Sequence, residues 1–365
     1  MRSPDSLSVT LLGPDIDQKK SLEAMLTGRV SKLTWLPDSI TMQGDQPMTL
    51  AQRVRRSLDQ LTSTHDKTFV ERACRHLEEN STDIVIGYWG TMPLADLAAI
   101  KRLKPNVKTV LLLLCFPLAL DNVGVKRQYW KMRHAARSLD AIVFSSKAMQ
   151  AYFHDDVLGK RGKNIAEVIL KPCWPRSYQC AARQGRELLD RPNLIFVGRT
   201  DLSSRTIHAA DNLQSLMAEI LENKIELHHA RSPETTDGHP YRRPFDALDQ
   251  GELIAKMAEH DASLIVYNAA ACQRTERLEF TVPDRLLTSV AAGVPIAIPS
   301  VGYTGPKQYL ADYPAVLQYD SVPHLKQQLA DRERMQVLHQ AAWKARDLYT
   351  AEAQGHILAQ FLASL

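Results

Sequence analysis

The chain has 365 residues, a hydrophobic share of 44% and a charged share of 24%, the balance of an ordinary globular protein, which excludes disorder. That length suffices for two domains of usual size. The net charge of +4 divides unevenly: residues 1–180 carry 26 Lys and Arg against 18 Asp and Glu, and the remainder 19 against 23, so the first half suits an anionic partner or presents a scattered, solvated basic face.

The N-terminal residues, MRSPDSLSVTLLGPD, do not read as a signal peptide, because the apolar stretch is short and interrupted. The longest apolar run, Val110 to Leu120, is broken by Pro117 and is too short to cross a membrane. A cytoplasmic protein is expected. Cys74, Cys115, Cys173, Cys180 and Cys272 are widely spaced and odd in number, which argues against a disulfide framework and a zinc site. No structural metal is expected.

In chain order, Ser8–Leu12 reads as a strand stopped by Gly13-Pro14, and Asp17–Leu26 as a helix. Residues 44–68 are polar and read as a helix and loops. Thr82–Gly87 is a strand, Pro93–Leu103 a helix, and Thr109–Cys115 and Ala141–Phe144 strands, with Ser145-Ser146 capping the next helix. Prolines and glycines from Leu170 to Pro192 mark a junction. The alternation then restarts: strand Asn193–Val197, helix about 206–222, strands Ile225–His229 and Leu264–Tyr267, helix Leu286–Ala292 ended by Gly293, and strand Ile296–Pro299. From His324 the chain is mostly helical. Apolar strands alternating with helices predict parallel sheets covered on both faces.

Two motifs lie where such sheets bind ligands, beyond the carboxyl ends of the strands. In Phe196-Val-Gly-Arg199 a strand ends at Gly198, whose lack of a side chain allows close backbone approach. Ser203 or Ser204, with Arg199 and Arg205, would suit a diphosphate, although a strand–Gly–Arg turn is more often simply solvated. The second motif, Glu276-Arg-Leu-Glu279 followed by Pro283-Asp-Arg-Leu-Leu-Thr-Ser-Val-Ala-Ala-Gly-Val-Pro295, opens a helix with Asp284 and Arg285 in its first turn. Arg285 and Thr288, three apart, are expected on one face.

The stretch PDRLLTSVAAGVPIAIP resembles the nucleotide-sugar-binding segment of the two-Rossmann-domain (GT-B) glycosyltransferases, in the group-1-like branch, commonly Pro-x-Lys-x-x-Glu-(Tyr/Ala)-x-Ala-x-Gly-x-Pro. Pro283, Ala291, Gly293 and Pro295 match, and Arg285 stands at the basic position. NLIFVGR is similar to the strand opening the family's second domain, with Arg199 where a basic residue reaches the donor diphosphate. Thr288 stands where the family usually has the Glu that holds the ribose, with Glu279 or Glu276 as substitutes. The strand ending in Cys115-Phe-Pro lacks the His of many relatives.

The resemblance implies an α/β protein of two Rossmann-like, doubly wound domains facing across a cleft: residues 1–178 for the acceptor, 190–335 for the donor, and a helical segment 336–365 packing back across the junction. It implies a glycosyltransferase, hexosyltransferase-like and of the kind found in polysaccharide biosynthesis, working without a metal or a tightly bound cofactor. A UDP- or GDP-sugar would be the co-substrate and a glycan or lipid-linked molecule the acceptor. Arg199, Arg285 and Glu279 are the implied catalytic residues, and Gly198, Ser203, Arg205, Thr288 and Asp284 the donor-binding ones. The alternatives are a nucleotide-sugar epimerase on the same fold and a non-catalytic binding relative.

Lys126-Arg-Gln-Tyr-Trp-Lys-Met-Arg-His-Ala-Ala-Arg137 has five Lys and Arg and no acid. It reads as an amphipathic surface helix, or as a grip on an anionic glycan or on an anionic membrane at the inner face. With no nucleic-acid module in the chain, none is expected as a partner. Candidate general bases, Asp15, Asp17, Asp121 and Glu279, are scattered, and His134 and His208 add no pattern.

Overall fold

The computed structural model describes residues 3–39, 67–88, 90–159, 165–179, 191–198, 209–231 and 238–365. They form two compact units: Met1–Leu118, Val123–Pro172 and Ala351–Leu365 make the first, and Ala119–Asn122 with Cys173–Thr350 the second. Of the expected helix and loops at residues 44–68, residues 44–66 lie outside the described residues.

The first unit is built on β1 (Ser8–Leu12), β2 (Lys32–Leu36), β3 (Ile84–Gly87), β4 (Lys108–Leu113), β5 (Ala141–Phe144) and β6 (Ala166–Ile169). They pair in parallel in the order β2-β1-β3-β4-β5-β6. β1, β3 and β5 are buried along their whole length, because helices cover both faces of a parallel sheet. The edge strands β2 and β6 are half exposed; their mixed residues lack the continuous apolar run that marks the central strands, and sequence reasoning missed both. α1 (Asp17–Leu26) follows β1, α2 (Lys67–Glu79) precedes β3, α3 (Leu94–Leu103) joins β3 to β4, and α4 (Asn122–Ala135) precedes β5. Ser146 caps α5 (Lys147–Tyr152) by accepting from the Met149 N–H.

In the second unit β7 (Asn193–Phe196), β8 (Glu226–Ala230), β9 (Arg242–Phe245), β10 (Ala262–Leu264), β11 (Ile296–Pro299) and β12 (Val316–Tyr319) are again parallel, in the order β12-β11-β10-β7-β8-β9. β9 and β12 were not read from the sequence, and both are edge strands. Asn193 and Asp261 exchange backbone-to-side-chain bonds at 3.1 and 2.9 Å, and Arg332 donates to Asp261 at 2.8 Å. This pins β7 to β10 at their amino ends. α6 (Gln214–Glu222), α7 (Gln250–Met257), α8 (Glu276–Phe280), α9 (Asp284–Ala292), α10 (Thr304–Tyr309), α11 (Val322–Ala330) and α12 (Arg332–Ala345) complete the unit. Gly293 ends α9 in the left-handed conformation, φ 64°, which only glycine adopts without cost.

The final helical stretch splits. α12 stays in the second unit, and α13 (Ala351–Ala363) belongs to the first. Leu358 and Leu362 of α13 join Leu22, Met25 and Leu26 of α1 in one buried core. The helices cross so closely that a Cβ on Gly355 would stand 2.3 Å from the Met25 carbonyl oxygen. Arg29 locks the crossing, donating to the carbonyls of Met25 and Glu352 at 3.2 and 3.0 Å.

Candidate functional site

Each sheet changes winding direction once, between β1 and β3 in the first unit and between β7 and β10 in the second. Ligands of doubly wound sheets bind at such switch points. In the first unit this point is filled: the Tyr88 ring is fully buried there, and a Cβ on Gly13 would lie 2.7 Å from it. Burial pushes the Tyr88 hydroxyl pKa up, so it stays a neutral donor, to the Pro14 carbonyl.

The second switch point is built differently. β7 ends in Phe196 and runs through Val197 to Gly198; β10 runs on through Ile265 and Val266 to Tyr267. Between these ends lies the Arg285 side chain, from the first turn of α9. Its guanidinium carbon is 4.4 Å from the Tyr267 ring centroid and 5.1 Å from that of Phe196. A cation held between two rings is attracted to both. It donates to the Val266 carbonyl at 3.4 Å and faces an Asp211 carboxylate oxygen at 4.0 Å. A guanidinium offers five N–H donors, so among the described residues most of this one's capacity is unused. The side chain is 13% exposed, which makes it a positioned cation rather than a solvated one. Gly198 adjoins it: a Cβ there would come 3.1 Å from Arg285 Nη1 and 2.6 Å from the Phe196 ring.

The other expected residues separate. Arg199, Ser203, Ser204, Arg205 and His208 lie outside the described residues. Asp284 is exposed at the start of α9. Thr288, expected on the Arg285 face, turns inward and is 2% exposed. Its hydroxyl donates to the Asp284 carbonyl at 2.9 Å and accepts from Trp174 Nε1 at 3.1 Å and Gln250 Nε2 at 2.8 Å. The three contacts use the whole hydroxyl and tie α9 to α7. Three-residue spacing alone could not reveal this inward packing.

Glu279 works on backbone. Its carboxylate accepts from the Tyr303 and Thr304 N–H groups at 2.9 and 3.1 Å and from the Thr304 hydroxyl. It thereby fixes the loop that follows β11, where Gly302 takes φ 77° and a Cβ would stand 3.2 Å from Glu279 Oε2. In that loop the Tyr303 hydroxyl accepts from the Tyr267 N–H at 2.7 Å, and the two rings stack at 6.4 Å. Burial raises the Tyr303 pKa to about 12, so it too remains neutral. Glu276 pairs with Arg274. Asp15 and Asp17 pair with Lys19 and Lys20 on α1.

Sequence reasoning had not singled out Asp211, Tyr267 or Tyr303. Tyr267 ends an apolar run, and that position is the only signal available beforehand. Among the described residues no group of three or more His, Cys, Asp or Glu is arranged to hold a metal ion, and no helix is long and apolar enough to cross a membrane.

No protein-family model matches the chain, and no curated protein matches it by sequence. Solved structures do match. Sucrose-phosphate synthase from Thermosynechococcus elongatus superposes with a TM-score of 0.69 at 11% identity, covering 98% of both chains. Anabaena HepE in complex with UDP and glucose superposes with a TM-score of 0.62 at 10% identity, covering 98% of this chain and 100% of that one. A glycosyltransferase from Rickettsia africae gives 0.62 at 9% identity, over 99% and 98%. Matched nearly end to end, with two parallel sheets that each reverse once, the chain has the α/β, two-Rossmann-domain fold of the GT-B glycosyltransferases.

Proposed function

We propose that the chain is a glycosyltransferase that takes a sugar from a nucleoside-diphosphate sugar, with the diphosphate at Arg285. The observation that carries this reading is the guanidinium at the β7–β10 switch point, fixed between Phe196 and Tyr267, with most of its donors unused among the described residues and the bare backbone of Gly198 beside it. A preorganised cation at that position stabilises the charge that develops on the leaving diphosphate. Arg199, Ser203 and Arg205, which follow Gly198 in the chain, supply the remaining donors in this reading, and Asp284 flanks the nucleotide. Glu279 acts through the loop it holds, and Thr288 acts by fixing α9. The first half, with its basic surplus, takes a glycan or lipid-linked acceptor. Cationic side chains make a divalent metal unnecessary for the leaving group, so transfer should persist in EDTA.

HepE was solved with UDP-glucose, which makes UDP the first nucleotide to try and GDP the second. A thermal-shift series with UDP, GDP, ADP, CMP and dTDP tests the reading. A ligand at a hundred times its Kd stabilises the fold by about 2.7 kcal/mol, so one nucleoside diphosphate should raise Tm by several degrees. If none does at millimolar concentration, the donor site is misassigned. With the matching sugar donor and no acceptor, an altered sugar still on its nucleotide would identify an epimerase instead.

A further inference from the structure

The first unit carries a groove of about 270 Å³ between α3 and α4. Consecutive right-handed crossovers place these helices on the same face of the sheet, away from α1 and α13. At one end the groove reaches Met92 and Leu118, beyond the carboxyl ends of β3 and β4; at the other it reaches Ser138, just before β5.

Its two sides differ in chemistry. Leu94, Ala95 and Ala98 of α3 form an apolar wall, and the two alanines, three apart on one face, leave the space open. From α4 come Arg127, Lys131 and His134, at spacings of four and three, so one stripe of that helix overlooks the cavity. Arg102 closes the far side. Trp130 is 47% exposed and stacks on His134 with centroids 5.7 Å apart and planes at 11°. Among the described residues no Asp or Glu lines the groove. Arg133, of the same basic stretch, is engaged elsewhere, donating to the Asp156 and Val157 carbonyls at 2.9 and 2.5 Å.

We propose that this groove binds a lipid phosphate, with one apolar chain between α3 and α4 and the phosphate at Arg127 and Lys131. The apolar wall disfavours a sugar phosphate or polynucleotide, which would leave it wet. The cationic rim, without a carboxylate among the described residues, disfavours a neutral or cationic amphiphile. The volume is at the low end for small-molecule sites and suits one chain rather than two. This site lies wholly within the first unit and does not rest on the donor-site reading.

The test uses the whole chain and dodecyl phosphate below its micelle concentration. The expected result is a saturable change in tryptophan emission that disappears in Trp130→Phe. The double variant Arg127→Ala/Lys131→Ala should bind about tenfold or more weakly, since each cation near an anionic headgroup contributes comparably. Ala98→Phe, which fills the groove, should abolish binding. If that variant does not fold, the charge variant, confined to the outer stripe of α4, still decides. Dodecyltrimethylammonium should neither change the emission nor compete, and inorganic phosphate should compete only at concentrations far above those of dodecyl phosphate. Absence of saturation, an emission change that survives Trp130→Phe, equal affinity in the double variant, or inorganic phosphate competing as well as dodecyl phosphate each overturns the proposal.

Discussion

Replacing Arg285 with alanine removes two contributions that can be measured separately. Within the fold, the guanidinium lies over Tyr267 at 4.4 Å and Phe196 at 5.1 Å, and each such contact contributes about 0.5–1 kcal/mol where partly exposed. The bond to Val266 is long, and an ion pair at 4.0 Å adds little. The folding cost is therefore about 1–2 kcal/mol, small enough for a domain of ordinary stability to remain folded. Toward a diphosphate, hydrogen bonds to charged groups contribute about 1.5–3 kcal/mol, which is about 10- to 150-fold in Kd. Arg285→Lys keeps the charge and loses the planar fork, so it should fall between the two. Calorimetry with the nucleotide identified by thermal shift, together with the Tm of each variant, gives both numbers. A folded Arg285→Ala protein with unchanged affinity would refute the assignment, because no other described cation occupies that switch point.

Thr288→Val keeps the shape and deletes the hydroxyl that Trp174 and Gln250 donate to; a buried donor left unpaired costs about 1–3 kcal/mol, so denaturant unfolding should show that loss with nucleotide affinity unchanged. Gly355→Leu places its Cβ 2.3 Å from the Met25 carbonyl oxygen and should cost about 3 kcal/mol or more, read as a lowered Tm and faster proteolysis near α13, while Gly355→Ala shows a smaller effect of the same sign. Burial lowers the pKa of His76, His228 and His229 below the ordinary 6.5, so as pH falls through 6.5 the unfolded chain takes up protons that the folded chain refuses and stability declines; His229→Asn should flatten that part of the Tm–pH curve, and an unaltered slope would remove His229 from the account.

The legible parts of the fold were those where burial is complete. β1, β5 and β11 match their sequence-expected bounds, because a strand covered on both faces is apolar without interruption and its ends are abrupt. β2, β6, β9 and β12 are half exposed at sheet edges, and residues such as Arg242 and Gln318 there conceal the pattern. At the site, Arg285 was legible because it opens a helix after Pro283, a position set by local capping rules. The inward turn of Thr288 depends on Trp174, which is 114 residues away, and Tyr303 meets Tyr267 across 36 residues. Such pairings are set by the tertiary fold, and no local rule contains them.

The seating of α13 on α1 has a consequence for the order of events on the ribosome. β1 to β6 emerge early, yet the side of α1 on which α13 packs stays uncovered until residues 351–365 have been made, after the entire second unit. The nascent first unit must therefore wait, with that side of α1 open to any passing hydrophobic surface, while its neighbour is synthesised and folds. A domain expected to fold first is completed last, and a holdase that shields α1 during that interval would raise the yield of native protein.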